Sequence, residues 1–278
     1  MICDLLSARA DFEVVGKAAD GQRAIELCGA LRPNVISLDM MLSGSSGLAA
    51  TEHIMAHFPT PILIVSASTN RAELFHTYQA LAAARASSVI AIGASTGGPS
   101  AIVDVLQGLP TGLAVPILIV IHIDEPFSSS FAEWLDAQTP HRVAQARDGD
   151  ALSSWHGRVA MAPAGRHLSV RNGHLRLGNE PPRHSCRPSV DVLFESLASE
   201  IGASAAACLL TGIGRDGANG LLAIRRAGGF TIAHDEASCV VYGMPREAAL
   251  LKAAERILPL NQIGPALGRV LTGEKRAP

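Results

Sequence analysis

The chain has 278 residues, long enough for two domains, and its 48% hydrophobic content is enough for a substantial core. A formal charge of −2 lacks the basic excess typical of a nucleic-acid binder. Apolar runs such as residues 115–121 break too soon to span a bilayer, so no membrane insertion is expected.

The first 80 residues alternate strand and helix signals. Residues 12–17 suit a strand, 21–31 a helix, 34–39 a strand, 48–58 a helix, 61–67 a strand and 71–83 a helix. Such βα alternation predicts a parallel sheet. LAAARASS, residues 81–88, is a candidate linker. A second βα series follows over 89–272, with a short tail at 273–278. Its strands fall at 89–93, 116–121, 158–162, 206–210 and 229–233, and its helices at 100–106, 129–137, 190–199 and 217–226. HLSV and HLRLG, between 165 and 188, predict an antiparallel hairpin. The expected fold class is α/β, a doubly wound, mostly parallel sheet.

MICDLLSARAD, at the start, shows no signal-peptide apolar region. The cysteines Cys3, Cys28, Cys186, Cys208 and Cys239 are odd in number and scattered. None makes a C-x-x-C or a His/Cys pair at metal-site spacing. They read as reduced thiols of a cytoplasmic protein, with no metal or cofactor expected. Cys208, within AAACLL, reads as a small core residue.

VIAIGASTGGPS, residues 89–100, carries the most chemistry. A buried strand runs into Gly93-Ala94-Ser95-Thr96-Gly97, which fits the G-x-S-x-G nucleophile elbow, and Pro99 suits the first turn of the helix that follows. Backbone N–H groups at such a helix start can stabilise an oxyanion. A tight turn or a phosphate-binding loop would also fit the pattern.

A serine hydroxyl needs a base, and the base needs an orienting partner. His122 directly follows the strand at 116–121, and Asp216 follows the strand at 206–210. Both therefore fall with Ser95 on the carboxyl edge of a parallel sheet, where sites collect. A packing histidine and a helix N-cap aspartate remain open as alternatives.

IGASTGGPSAI, IHIDEPFSSSFAEWL, APAGRHL, RPSVDVLF, LTGIGRDGANG and HDEASCVVYGMPREA occur in that order. Over residues 89–272 they resemble the catalytic domain of the chemotaxis protein-glutamate methylesterase family. The resemblance implies a serine hydrolase that removes methyl groups from glutamate methyl esters on methyl-accepting chemotaxis receptors. Many members also deamidate receptor glutamines. It implies Ser95 as nucleophile, His122 as general base and Asp216 as its orienter. The backbone N–H groups of Thr96 and Ile213 would form the oxyanion hole, Ile213 standing where the family has methionine. Ser189 is a plausible N-cap, and RPSVD (187–191) and YGMP (242–245) resemble cleft loops. Asp124 and Glu125 depart from the family's proline-containing sequence after the histidine.

The N-terminal stretch resembles a response-regulator receiver of flavodoxin-like fold. VISLDMMLSGSSGL places Asp39 as candidate phosphoacceptor, and SAST places Ser66 at the hydroxyl position. Such a module implies contact with a histidine kinase. The acidic pair of the first strand, the usual residues around Ser43 and Ser46, and the lysine-bearing last strand have no counterparts. Mg²⁺ needs several oxygen donors, so Asp39 is expected not to be phosphorylated and the module is read as truncated. Two rivals remain: a non-catalytic receptor-binding regulator with the same fold, and a nucleotide-binding βα protein, although no P-loop lysine follows GASTGG.

Overall fold

The computed structural model describes residues 13–39, 47–58, 60, 62–64 and 88–271. The chain divides into two compact units, Met1–Ala84 and Arg85–Pro278.

In the first unit, helix α1 spans Gly21–Leu31 and is capped by the Asp20 carboxylate, which accepts from the Arg23 N–H at 2.8 Å. Strand β1 (Ile36–Leu38), helix α2 (Gly47–His57) and strand β2 (Ile62–Ile64) follow. β1 and β2 pair in parallel, as the βα alternation predicts. Asp39 stands directly after β1. The strand expected at residues 12–17 is not found in its described part. Residues 13–18 are irregular and mostly exposed, with no described strand beside them to complete a hydrogen-bond ladder. The expected helix at 71–83, Ser66, Ser43, Ser46 and residues 81–87 lie outside the described residues.

The second unit opens with β3 (Val89–Ala94), α3 (Gly98–Gly108), β4 (Ile117–Ile121) and α4 (Glu125–Gln138). Next come β5 (Arg142–Gln145), β6 (Arg158–Met161) and the antiparallel hairpin β7 (His167–Arg171) and β8 (His174–Gly178). Then α5 (Val190–Glu200), β9 (Ala205–Leu209), α6 (Ala218–Arg226) and β10 (Phe230–His234). The unit closes with α7 (Met244–Leu250), β11 (Arg256–Leu258) and α8 (Leu260–Leu271).

Seven strands form one sheet in the order β11-β10-β9-β3-β4-β6-β5, every neighbouring pair parallel. Both faces are covered, so the strands are apolar throughout rather than alternating with polar residues. The period-2 geometry of a strand divides them between two cores. Ile90, Ile92, Ile117, Ile119, Cys208 and Ile232 pack with Ile102, Leu106 and Leu267 on one face. Val89, Ala91, Leu118, Val120, Ala207 and Leu209 pack with Leu193, Phe194 and Leu221 on the other. Cys208 is fully buried, and burial pushes its thiol pKa up.

From β3 the sheet grows first toward β4, β6 and β5, then on the opposite side through β9. That reversal places a crevice at the carboxyl ends of the central strands. None of the described helices is long and apolar enough to cross a membrane.

Candidate active site

Three neighbouring strands, β9, β3 and β4, deliver the three expected side chains to one edge of the sheet. Ser95 follows β3 directly, where its N–H donates to the Thr211 carbonyl at 3.0 Å. Its own carbonyl accepts from the Gly98 N–H at 2.7 Å, closing the turn into α3. Gly97 takes a φ of 78°, a left-handed conformation that suits glycine. Pro99 sits in the first turn of α3, as expected.

His122 follows β4, and its N–H donates to the Ala94 carbonyl at 3.1 Å, so the His122 and Ser95 segments lie side by side. Its Nε2 is 2.8 Å from Asp216 Oδ2. An ionised carboxylate can only accept, so Nε2 carries a proton, and in the neutral ring Nδ1 presents a lone pair.

Asp216 is not the cap of its own helix; Gly217 holds that position in α6. The carboxylate instead sits at the N-terminus of the neighbouring α5. It accepts from the Val190 N–H at 2.7 Å, the Asp191 N–H at 3.1 Å and the Ser189 hydroxyl at 2.6 Å. A helix N-terminus presents free N–H groups and positive dipole to an anion. Burial alone would raise the Asp216 pKa. The His122 bond and these three donors outweigh it and hold the carboxyl below its usual range. Burial is also the largest single influence on His122 and acts downward. The hydrogen bond to Asp216, with smaller contributions from Cys186, outweighs it and lifts the imidazole to about 9.

The loop after β9 lies against the serine turn. A Cβ on Gly212 would fall 2.7 Å from Ser95 Cβ and 2.4 Å from Met244 Sδ, so only glycine permits this approach. The loop is fixed from behind by the YGMP segment. Gly212 N–H donates to the Val241 carbonyl at 3.1 Å, and Gly243 and Met244 N–H groups donate to the Gly212 carbonyl at 3.1 and 2.9 Å. Ile213, next in the loop, is 66% exposed although apolar. Thr96 and Ile213 donate no backbone hydrogen bond to another described residue.

Two features escaped sequence reasoning. Ser189 caps α5, as expected, but also donates to Asp216. Cys186 brings its Sγ to 3.6 Å from His122 Nδ1 across 64 residues of sequence. No local spacing signals a pair formed by the fold. Among the described residues two groups of metal-ligating side chains result, His122 with Cys186 and Asp216, and His184 with Asp191 and Asp216. In the second, Asp191 accepts from the Gly220 N–H at 2.7 Å and lies 3.1 Å from His184 Nε2, while His184 Nδ1 accepts from Arg215 Nε at 3.2 Å. Those donors and acceptors already satisfy one another. Among the described residues of the first unit, Asp39 belongs to no group of three or more metal-ligating side chains.

The structure is an α/β protein whose parallel sheet carries a serine, a histidine and an aspartate at one carboxyl edge. The chain belongs to the CheB methylesterase family, whose model matches residues 90–267. The response regulator receiver domain model matches residues 1–87. Protein-glutamate methylesterase/protein-glutamine glutaminase 2 of Anaeromyxobacter dehalogenans is 38% identical, the match covering 96% of this chain and 92% of that protein. The protein of the same name from Pseudomonas aeruginosa is also 38% identical, with the same coverage. Among solved structures, the Thermotoga maritima CheB methylesterase catalytic domain matches with a TM-score of 0.63 and 32% identity. That match covers 66% of this chain and 99% of the other.

Proposed function

We propose that this chain hydrolyses glutamate methyl esters on chemotaxis receptors in the cytoplasm, releasing methanol, and deamidates receptor glutamines. The observation that carries the reading is the His122–Asp216 contact at 2.8 Å, beside the serine turn, in a chain 38% identical to named methylesterase/glutaminases. A non-catalytic regulator would have no need of a buried carboxylate held by three donors against a histidine.

In this reading Ser95 Oγ attacks the ester carbonyl while His122 Nδ1 takes its proton. Asp216 keeps the imidazole in the required tautomer and stabilises the imidazolium. Thr96 and Ile213 N–H groups receive the developing oxyanion. The imidazolium then returns the proton to the departing methoxide, giving methanol and an acyl-serine. Water, activated by the same histidine, releases the glutamate. Exposed Ile213 offers apolar contact to the receptor segment bearing the ester.

We propose residues 1–80 as an incomplete receiver module, 81–88 as its connection, and 89–272 as the catalytic domain. The alignment to the Anaeromyxobacter relative runs over 315 positions, more than the 278 residues of this chain, so it passes over segments absent here. A module short of such segments would still offer a surface to a histidine kinase without taking a phosphoryl group at Asp39. The test of the whole reading is methanol release from a methylated receptor fragment. Its absence, with the fragment shown to bind, would favour the regulator instead.

A further inference from the structure

Cys186 occupies the side of His122 that the proposed mechanism needs. Asp216 holds Nε2, and the Cys186 thiol stands 3.6 Å from Nδ1, the nitrogen left for Ser95. The thiol also faces the His184 carbonyl at 3.4 Å.

A short turn aims it there. Arg183 and Cys186 exchange both backbone hydrogen bonds, at 3.0 and 2.8 Å. Between them His184 and Ser185 adopt φ values of 49° and 63°, both left-handed and unusual outside glycine. The turn is tied down at its flanks. Arg183 pairs with Glu195 on α5, and His184 Nε2 lies 3.1 Å from Asp191.

We propose that Cys186 Sγ and His122 Nδ1 form a binding site for a soft divalent cation, Zn²⁺, whose occupation switches off the esterase. Zinc binds thiolate sulfur at about 2.3 Å and imidazole nitrogen at about 2.0 Å in tetrahedral geometry. Those lengths place the two donor atoms about 3.5 Å apart, against 3.6 Å here. Little rearrangement separates the metal-free pair from a bridged one. Asp216 does not join the coordination shell, because its oxygens already serve His122, Ser189, Val190 and Asp191. It acts one layer out, holding the ring so that Nδ1 points at the metal, the usual part of a carboxylate behind a zinc-bound histidine. Water fills the remaining positions, since both Cys186 and His122 are only partly buried.

Binding releases the thiol proton to solvent, together with the Nδ1 proton wherever the ring is protonated, and forms one sulfur–zinc and one nitrogen–zinc bond. No electron is transferred. With the Nδ1 lone pair engaged, the histidine cannot accept the serine proton. The inhibitory effect rests on the proposed role of His122; the metal site itself does not.

The experiment titrates the full chain with zinc sulfate during methyl-ester hydrolysis and, separately, with cobalt(II) while recording its spectrum. Zinc should inhibit at micromolar levels and EDTA should restore the rate. Cys186→Ser and Cys186→Ala, each measured against its own metal-free rate, should need at least about tenfold more zinc, from the usual cost of losing a metal-site partner. Cys239→Ser should be inhibited as the parent is. Cobalt should give a thiolate charge-transfer band that both Cys186 variants lose and Cys239→Ser keeps. Equal zinc sensitivity in the Cys186 variants, or no Cys186-dependent cobalt band, overturns the site. A Cys186-dependent band in a chain that hydrolyses no ester supports the site and overturns the esterase reading instead.

Discussion

Asp216 Oδ2 lies 2.8 Å from His122 Nε2, and the same carboxylate caps the first turn of α5 through Val190 and Asp191. One buried group thus joins His122 to the scaffold. Its orientation is set by backbone donors that no side-chain substitution removes, and by the one hydroxyl that can be removed.

That hydroxyl is Ser189. Ser189→Ala removes a 2.6 Å bond to a carboxylate and the cap of α5 together. The loss should be about 2 kcal/mol of stability, the scale of a hydrogen bond to a charged group. Turnover should fall more than KM changes, because substrate contacts are untouched. Denaturant unfolding and steady-state kinetics check both; unchanged stability would mean that the bond contributes nothing.

The pH profile follows from the lifted imidazole. His122 has a folded pKa of about 9 against an ordinary 6.5. The protonated pair therefore adds stability that is complete below about pH 6.5 and is lost as pH rises through about 9. Catalysis needs the neutral ring, so kcat/KM should climb with pH across the same window. Asp216→Asn removes the main upward influence and should move the inflection to lower pH, with a rate loss of about 10⁴, as when the aspartate of another serine triad is so changed. A profile flat from pH 6 to 10 would contradict the role given to His122.

His122→Ala and Asp216→Asn should be far from additive, since residues that act as a unit fail together. Single-turnover rates of the two single variants and the double variant decide this. Losses that simply multiply would mean independent roles.

Gly212→Ala tests the close approach of the two loops. The added Cβ would meet Ser95 Cβ at 2.7 Å and Met244 Sδ at 2.4 Å. The methionine can move, whereas Ser95 Cβ is fixed by its turn, which bonds to Thr211 and Gly98. The variant should fold and lose at least about tenfold in kcat, the scale of about 1.4 kcal/mol in the barrier. Full activity would show that the loop has slack.

Acetyl phosphate with Mg²⁺ should leave the esterase rate unchanged, and Asp39→Asn should behave as the parent does. A rate increase that depends on Asp39 would show that the receiver module has the chemistry it was expected to lack.

Much of this architecture was legible in the sequence because apolar runs such as VIAIG and PILIVI mark strands buried on both faces. The HLSV and HLRLG pieces were legible as a hairpin for a different reason, their alternation being local. β5 and β11 were not, being only four and three residues long. Nor was α8, where Pro265 interrupts the helical pattern from inside. The strand expected near Val15 failed because a strand needs a neighbour that composition cannot show. At the site, Ser95, His122 and Asp216 could be expected on one sheet edge because each follows a strand of the parallel sheet. Cys186 could not, since its meeting with His122 depends on a turn with two left-handed residues and on the packing of α5.

The proposed hydrolysis turns on Ser95. Methanol release from a methylated receptor fragment, measured for the full chain and for Ser95→Ala in the presence of EDTA, tests it most directly. The parent should release methanol, and Ser95→Ala should lose about 10⁵-fold or more while remaining folded, the scale seen when a serine hydrolase loses its nucleophile. Near-parental turnover by Ser95→Ala would contradict the account.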